Sequence, residues 1–284
     1  TGIAYNYLME NYREATCPYP ILKICQYPLP RKQIQTLYNE CNELLILEEG
    51  YPIVEEMLKG YMNTGKTIHG RLDGTVPRDG ELNPAIVAKA LGFGIEEMQA
   101  IPELVKPRPP QLCQGCSHRD VADMINESMK EYGRGRVFAD IGCYTLTATP
   151  PYNTIDTTVE MGASITMAKG AADAGLVPSV ALIGDSTFTH SGMTGLLDAV
   201  NENTPIVIVM SDNYTTGMTG GQDSSGTNHL VDICKGIGVP EEHIQLITPL
   251  KKFHDENVLL MKKELEYNGI SVIIAQRECN QTFQ

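Results

Sequence analysis

The sequence has 284 residues, 42% of them hydrophobic, and a formal net charge of −13 from 22 Lys and Arg against 35 Asp and Glu. A chain of this size buries one large core or two smaller ones, and no apolar run approaches the ~20 residues that a membrane span needs. Its acidic balance argues against a nucleic-acid partner, because nothing would neutralise phosphates along a surface. Eight cysteines without a secretory signal, in a chain far longer than disulfide-stapled domains, read as cytoplasmic thiols or metal ligands.

In chain order, a helix is expected over residues 3–13, a short strand over 21–25, and a second helix over 33–42 with Ile34, Leu37 and Tyr38 on one face. The apolar run 44–47 reads as a strand that Glu48-Glu49-Gly50 ends, and 53–59 as a helix, so a small α/β domain is expected over 1–100. Glu48 and Glu49 read as acidic charge at a helix N-terminus or as an interface pair, ahead of a role as catalytic carboxylates. Asn83 and Pro84 supply an N-cap and a first-turn proline for a helix over 84–91 that Gly92 ends. The segment IPELVKPRPPQ, with Pro102, Pro107, Pro109 and Pro110, gives a linker over 101–112. Because the chain opens on Thr1 and enters a helix at once, a piece of a longer polypeptide is expected.

Over 113–284 the periods alternate. Helices are expected at 120–132, 159–172, 195–203, 230–237 and 256–267, and strands at 137–141, 180–183, 205–210, 244–247 and 270–275. Such alternation predicts an α/β fold with a doubly wound, mostly parallel sheet and helices on both faces. In sheets of this kind ligands bind at the carboxyl ends of the strands. Two of those ends carry oxygen ligands, Asp185 after one strand and Asn213 after the next, 28 positions apart. With the small Gly184 and Ser186 beside them they suit a hard cation that also holds phosphate oxygens. Gly217, Met218, Thr219, Gly220 and Gly221 follow as a loop whose backbone N–H groups can approach an anion. A GDS triplet alone is weak; its pairing with Asn213 and the glycine-rich loop is specific.

The pattern GDS…DNYTTGMTGGQ resembles the thiamine diphosphate motif of the 2-oxoacid:ferredoxin oxidoreductases. The resemblance implies a thiamine diphosphate-binding fold in which Asp185, Asn213 and the backbone carbonyl of Thr215 hold Mg²⁺. Ser186 stands where glycine is commoner, as it does in the indolepyruvate branch of that family. Over the first domain, YPLP…LLILEEGYPIVEEML…HGRLDG resembles the transketolase C-terminal-like domain of the same enzymes.

Cys113 and Cys116 form a CxxC that alone fits a redox disulfide, half a zinc site or half an iron–sulfur site. Cys143 and Cys279 each follow a predicted strand, so one sheet rim could gather all four, whereas Cys234 lies mid-helix and reads as a buried structural thiol. The family resemblance, carried by PPQLCQGCSHR and ADIGCYTL, implies that Cys113, Cys116, Cys143 and Cys279 hold a [4Fe-4S] cluster; a structural zinc site or free thiols is the alternative. The family's indolepyruvate branch carries Pro where Gln114 and Ser117 stand here.

His118 and His190 lie near these motifs and are candidates for a base or an oxyanion donor at the reactive carbon. Hydrogen-bonded structural roles are the alternative. Met161 opens a helix that in the family passes beneath the cofactor, and plain core packing is equally open. The carboxylate that activates the aminopyrimidine belongs, in the family, to a pyrimidine-binding domain not found in this sequence, so the chain alone is not expected to turn over. The preferred expectation is oxidative decarboxylation of a 2-oxo acid, an arylpyruvate, with coenzyme A as acyl acceptor and ferredoxin as electron acceptor, in a cytoplasmic oligomer with a small subunit. A non-oxidative thiamine-dependent decarboxylase resembling the phosphonopyruvate and sulfopyruvate enzymes, and an assembly subunit without cofactor, are the competing readings.

Overall fold

The computed structural model describes residues 1–13, 16–60, 65–94, 102–106 and 108–282. Contacts divide the chain into two compact units, Thr1–Lys106 and Pro107–Gln284. Of the expected linker, residues 101 and 107 lie outside the described residues.

The first unit contains helices α1 (Ala4–Glu10), α2 (Arg31–Glu40), α3 (Ile53–Lys59) and α4 (Pro84–Ala90), with strands β1 (Glu43–Leu45) and β2 (Thr67–His69) paired in parallel. The strand expected over 21–25 does not form: those residues join no sheet, and Pro18, Pro20, Pro28 and Pro30 bracket them closely. Asn83 caps α4 as its sequence implies, its side chain accepting the Ile86 N–H at 2.9 Å. Glu48 caps α3 from outside the helix. Its two carboxylate oxygens accept the N–H groups of Val54 and Glu55 at 3.1 and 3.0 Å, while the residue is 3% exposed. Glu48→Ala strands two buried donors at a helix N-terminus and is expected to cost about 2 kcal/mol, read as a lower unfolding midpoint of this unit.

The second unit is built on a six-stranded sheet in the order β4-β3-β5-β6-β10-β9. Its strands are β3 (Val137–Ala139), β4 (Thr157–Thr158), β5 (Ser179–Gly184), β6 (Ile206–Asp212), β9 (Ile244–Ile247) and β10 (Ser271–Gln276), and every pairing is parallel. A two-stranded antiparallel ribbon, β7 (Thr215–Thr216) with β8 (Gln222–Asp223), lies after β6. The helices are α5 (Ser117–Met129), α6 (Ala163–Asp173), the single turn α7 (Asp185–Thr187), α8 (Met193–Asn201), α9 (Leu230–Ile237) and α10 (His254–Glu266).

The period-2 alternation of strands sorts the apolar residues between two cores. Val180, Leu182, Val207, Val209 and Ile273 pack beneath α5 and α10, against Val121, Met124, Ile125, Val258 and Met261. Ala181, Ile183, Ile208, Met210, Val272 and Ile274 face α6, α8 and α9, against Ile165, Leu196, Leu230 and Cys234. The doubly wound parallel sheet expected from the alternation is thus the observed one. Among the described residues no helix is long and apolar enough to cross a membrane.

Helix α6 starts at Ala163 rather than at 159, because Gly162 takes a φ of +96° and breaks the register before it. Asp140, at the end of β3, then supplies the cap: its carboxylate accepts the Ser164 N–H at 2.9 Å and the Ser164 hydroxyl. A Cβ on Gly162 would lie 2.3 Å from Ser191 Oγ and 3.0 Å from the Ser191 carbonyl oxygen. Gly162→Ala adds left-handed backbone strain to that collision, and a loss of roughly 2–5 kcal/mol in unfolding free energy is expected by chemical denaturation.

Candidate functional site

The carboxyl ends of β5 and β6 lie level, with Gly184 opposite Ser211, so Asp185 and Asp212 emerge side by side where the sheet leaves off. Asp185 is 3% exposed, and its Oδ2 is buried without a hydrogen-bond partner. Burial raises its carboxyl to about 6; the Ser186 N–H opposes this and the Asp212 charge adds to it. Asp212 is itself buried, but its oxygens are engaged, accepting the Tyr214 N–H at 3.2 Å and the Gln276 amide at 2.9 Å. Asn213 and Thr215 follow, both buried, with Asn213 Oδ1 accepting the Thr215 N–H at 3.3 Å and Tyr214 between them at φ +62°. A buried carboxylate oxygen with no donor is costly unless a cation completes it. Asp185, the Asn213 side chain and the Thr215 carbonyl are oxygens of the kind that Mg²⁺ takes.

The glycine-rich loop is held at both ends. Ser186 Oγ and Thr216 Oγ1 are 2.8 Å apart, Thr219 Oγ1 bonds Gln222 Oε1 at 2.6 Å, and Gly220 and Gly221 turn the ribbon at φ +117° and +79°. Met218 at its tip is exposed. Gly184 is explained by a neighbour: a Cβ there would stand 2.9 Å from the ring of Tyr144.

Behind the loop lie the cysteines. A Cβ on Gly217 would be 3.5 Å from Cys279 Sγ and 4.0 Å from Cys143 Sγ. Burial, then the charges of Cys116, Cys279 and Cys113, push the Cys143 thiol to about 11, so Cys143 lies within the fields of the other three. Among the described residues no three His, Cys, Asp or Glu side chains converge tightly enough to hold a single metal ion. The segment after β10 ties the group together: the Cys279 N–H donates to the Asn213 carbonyl at 3.3 Å, Asn280 to the Gln114 carbonyl at 2.8 Å, and Gln281 to Cys113 Sγ at 3.4 Å. Cys234 is fully buried in α9, where burial pushes its thiol up to about 12.

The two histidines differ. His118 lies in the first turn of α5, fully buried, its ring edge-on to Tyr144 at 5.7 Å and its Nδ1 without a partner. Burial, then the charge of Arg277, lower it to about 4, so it is neutral at pH 7. His190 is exposed on the π-helical turn Phe188–Gly192, its Nδ1 3.0 Å from Ser191 Oγ, which donates to the Met161 carbonyl at 2.7 Å. Met161 is partly exposed beside it. Asp140, Tyr144 and Arg277 escaped the sequence reading, which placed Asp212 only as the residue that ends a strand ahead of Asn213. Asp140 and Asp212 carried a usable signal, since each stands at the carboxyl end of a parallel strand.

Residues 140–240 match the family described as thiamine pyrophosphate enzyme, C-terminal TPP binding domain. The indolepyruvate oxidoreductase subunit IorA of Archaeoglobus fulgidus is 32% identical over 98% of this chain and 48% of its own length. IorA of Methanothermobacter thermautotrophicus matches with the same identity and shares. The chain spans about half the length of these curated relatives. The structure of the 2-oxoglutarate:ferredoxin oxidoreductase from Magnetococcus marinus superimposes with a TM-score of 0.52 at 20% identity, over 66% of this chain and 71% of that one, a likeness of fold. The chain is therefore related along nearly its whole length to the IorA subunits of indolepyruvate oxidoreductase, and its residues 140–240 carry the C-terminal TPP-binding domain of thiamine pyrophosphate enzymes.

Proposed function

We propose that the second unit binds the diphosphate of thiamine diphosphate through Mg²⁺ held by Asp185, Asn213 and the Thr215 carbonyl. Cys113, Cys116, Cys143 and Cys279 would hold a [4Fe-4S] cluster, which would supply one-electron transfer. The whole protein is then an oxidoreductase acting on a 2-oxo acid, with an arylpyruvate such as indolepyruvate as substrate, coenzyme A as acyl acceptor and ferredoxin as electron acceptor. The observation that carries this reading is Gly217, which follows the metal-ligand segment on one side and has Cys279 and Cys143 against it on the other.

Bound thiamine diphosphate supplies a nucleophilic carbon for the keto group and an electron sink for loss of CO₂. The chain's own groups do the rest. Asp185 offers a buried strand-end carboxylate oxygen, Oδ2, that is not spent on a hydrogen bond, and the backbone at 217–221 lets the diphosphate approach its N–H groups. His190, with Nδ1 engaged by Ser191, presents Nε2 for proton transfer. His118 is neutral and sealed in the core, which suits it to shaping the wall and not to exchanging protons with solvent. Met161 would pack against the ring of the cofactor. A pyrimidine-binding domain contributes the carboxylate that activates the aminopyrimidine, and a small subunit completes a cytoplasmic oligomer.

Anaerobic purification with iron, sulfide and zinc analysis, followed by indolepyruvate-dependent reduction of a viologen dye by the assembled complex, tests the proposal. Iron with matching sulfide and dye reduction are expected. Zinc on the same thiols, or decarboxylation without dye reduction, would favour the non-oxidative decarboxylase.

A further inference from the structure

Arg277 follows β10 by one residue, and its guanidinium joins three separate segments. Nη1 donates to Asp120 Oδ2 of α5 at 2.6 Å and to the Pro249 carbonyl, and Nη2 donates to the Gly115 carbonyl, inside the CxxC turn, at 2.9 Å. The side chain is 17% exposed, and among the described residues Asp120 is the one carboxylate paired with it. Arg277 stands two residues before Cys279 and touches the turn that carries Cys113 and Cys116.

We infer that Arg277 is a positioning residue that sets the reduction potential of the four-cysteine centre, by fixing one positive charge against the CxxC turn. This rests on the iron–sulfur reading above. A metal–sulfur centre on four thiolates gains one negative charge with each electron it accepts, so a fixed cation nearby stabilises the reduced form and raises the potential. Partial burial keeps that charge from being screened as a surface arginine would be. Asp120 opposes it: the carboxylate holds the guanidinium in place and also cancels part of its field.

The two charges therefore act with opposite sign, and a merely structural role predicts no such opposition. The experiment is a dithionite redox titration of the anaerobically reconstituted chain, followed by electron paramagnetic resonance of the reduced centre. Arg277→Gln is expected to weaken electron affinity roughly tenfold, about 59 mV downward for a one-electron couple. Arg277→Lys, which keeps the charge, stays near the wild-type potential, and Asp120→Asn shifts upward. An unchanged potential in Arg277→Gln, or a fall in Arg277→Lys as large as in Arg277→Gln, overturns the inference. If Arg277→Gln fails to hold iron, Asp120→Asn decides: an upward shift supports the assignment, and none overturns it. A wild-type chain that shows no iron–sulfur signal refutes the underlying reading and the inference with it, whereas a wild-type signal with inert variants refutes the inference alone.

Discussion

Asp185→Ala is expected to weaken binding of Mg²⁺ and thiamine diphosphate by roughly 100-fold or more, because even groups that only orient a metal ligand cost 10–100-fold when removed. As the proposed ligand itself, Asp185 is expected to contribute more than orientation. Its Oδ2 is buried and accepts no hydrogen bond, while Asp212 beside it spends both oxygens on Tyr214 and Gln276. Asp212 is thus not free to substitute. Isothermal titration with the cofactor at fixed Mg²⁺ reads the loss, and Asp185→Asn, which keeps the shape and removes the charge, should lose most of the same affinity. Thermal stability of the protein without cofactor should not fall in either variant, since the carboxylate pair is repulsive until a cation joins it. Unchanged affinity in Asp185→Ala would remove the residue from the site.

Cys143→Ser is expected to lose most of its iron while keeping the far-ultraviolet circular dichroism of the wild type. The turn Cys143–Ala148 is held without the thiol: Gly142 N–H donates to Thr145 Oγ1 at 2.9 Å, and Thr145 Oγ1 donates to the Asp140 carbonyl at 2.8 Å. A serine hydroxyl fits the half-buried position but replaces a soft thiolate with a poor ligand for iron. Cys234→Ser gives the contrasting control. It should keep full iron and lose about 1–3 kcal/mol of stability, because a hydroxyl is then buried in an apolar core. Iron retained at wild-type level in Cys143→Ser would sink the ligand assignment.

The central βαβ unit was legible because its strands are long and fully buried: the expected 180–183 and 205–210 lie within or across β5 and β6. The strands missed, β2, β4, β7 and β8, have three, two, two and two residues, too few to show a period, and the expected strand over 21–25 had an apolar pattern with no partner. Helix α5 begins at Ser117, three residues before the expected start, so His118 sits inside a buried first turn. No N-cap side chain at Cys116 announced it. The π-helical turn that carries His190 left no trace in the sequence, since its apolar and polar residues read equally well as a loop. Asp185, Asn213 and the glycine loop were visible as a motif. Tyr144 and Arg277 were not, because their importance lies in what the fold packs against them, Gly184 and the carbonyl of Gly115.

The order of strands has a consequence for how the protein is made. β10 is the last strand of the sheet in sequence, yet it lies inside it, pairing with β6 on one side and β9 on the other. Until the ribosome has released β10, β9 has no neighbour and the floor under α5 and α10 is open. Cys279 and Arg277 come off later still. A nascent chain therefore presents Cys113, Cys116 and Cys143 well before their fourth companion, and any metal delivered co-translationally would meet an incomplete set. If these thiols hold the proposed cluster, its loading belongs after synthesis, on a sheet already closed.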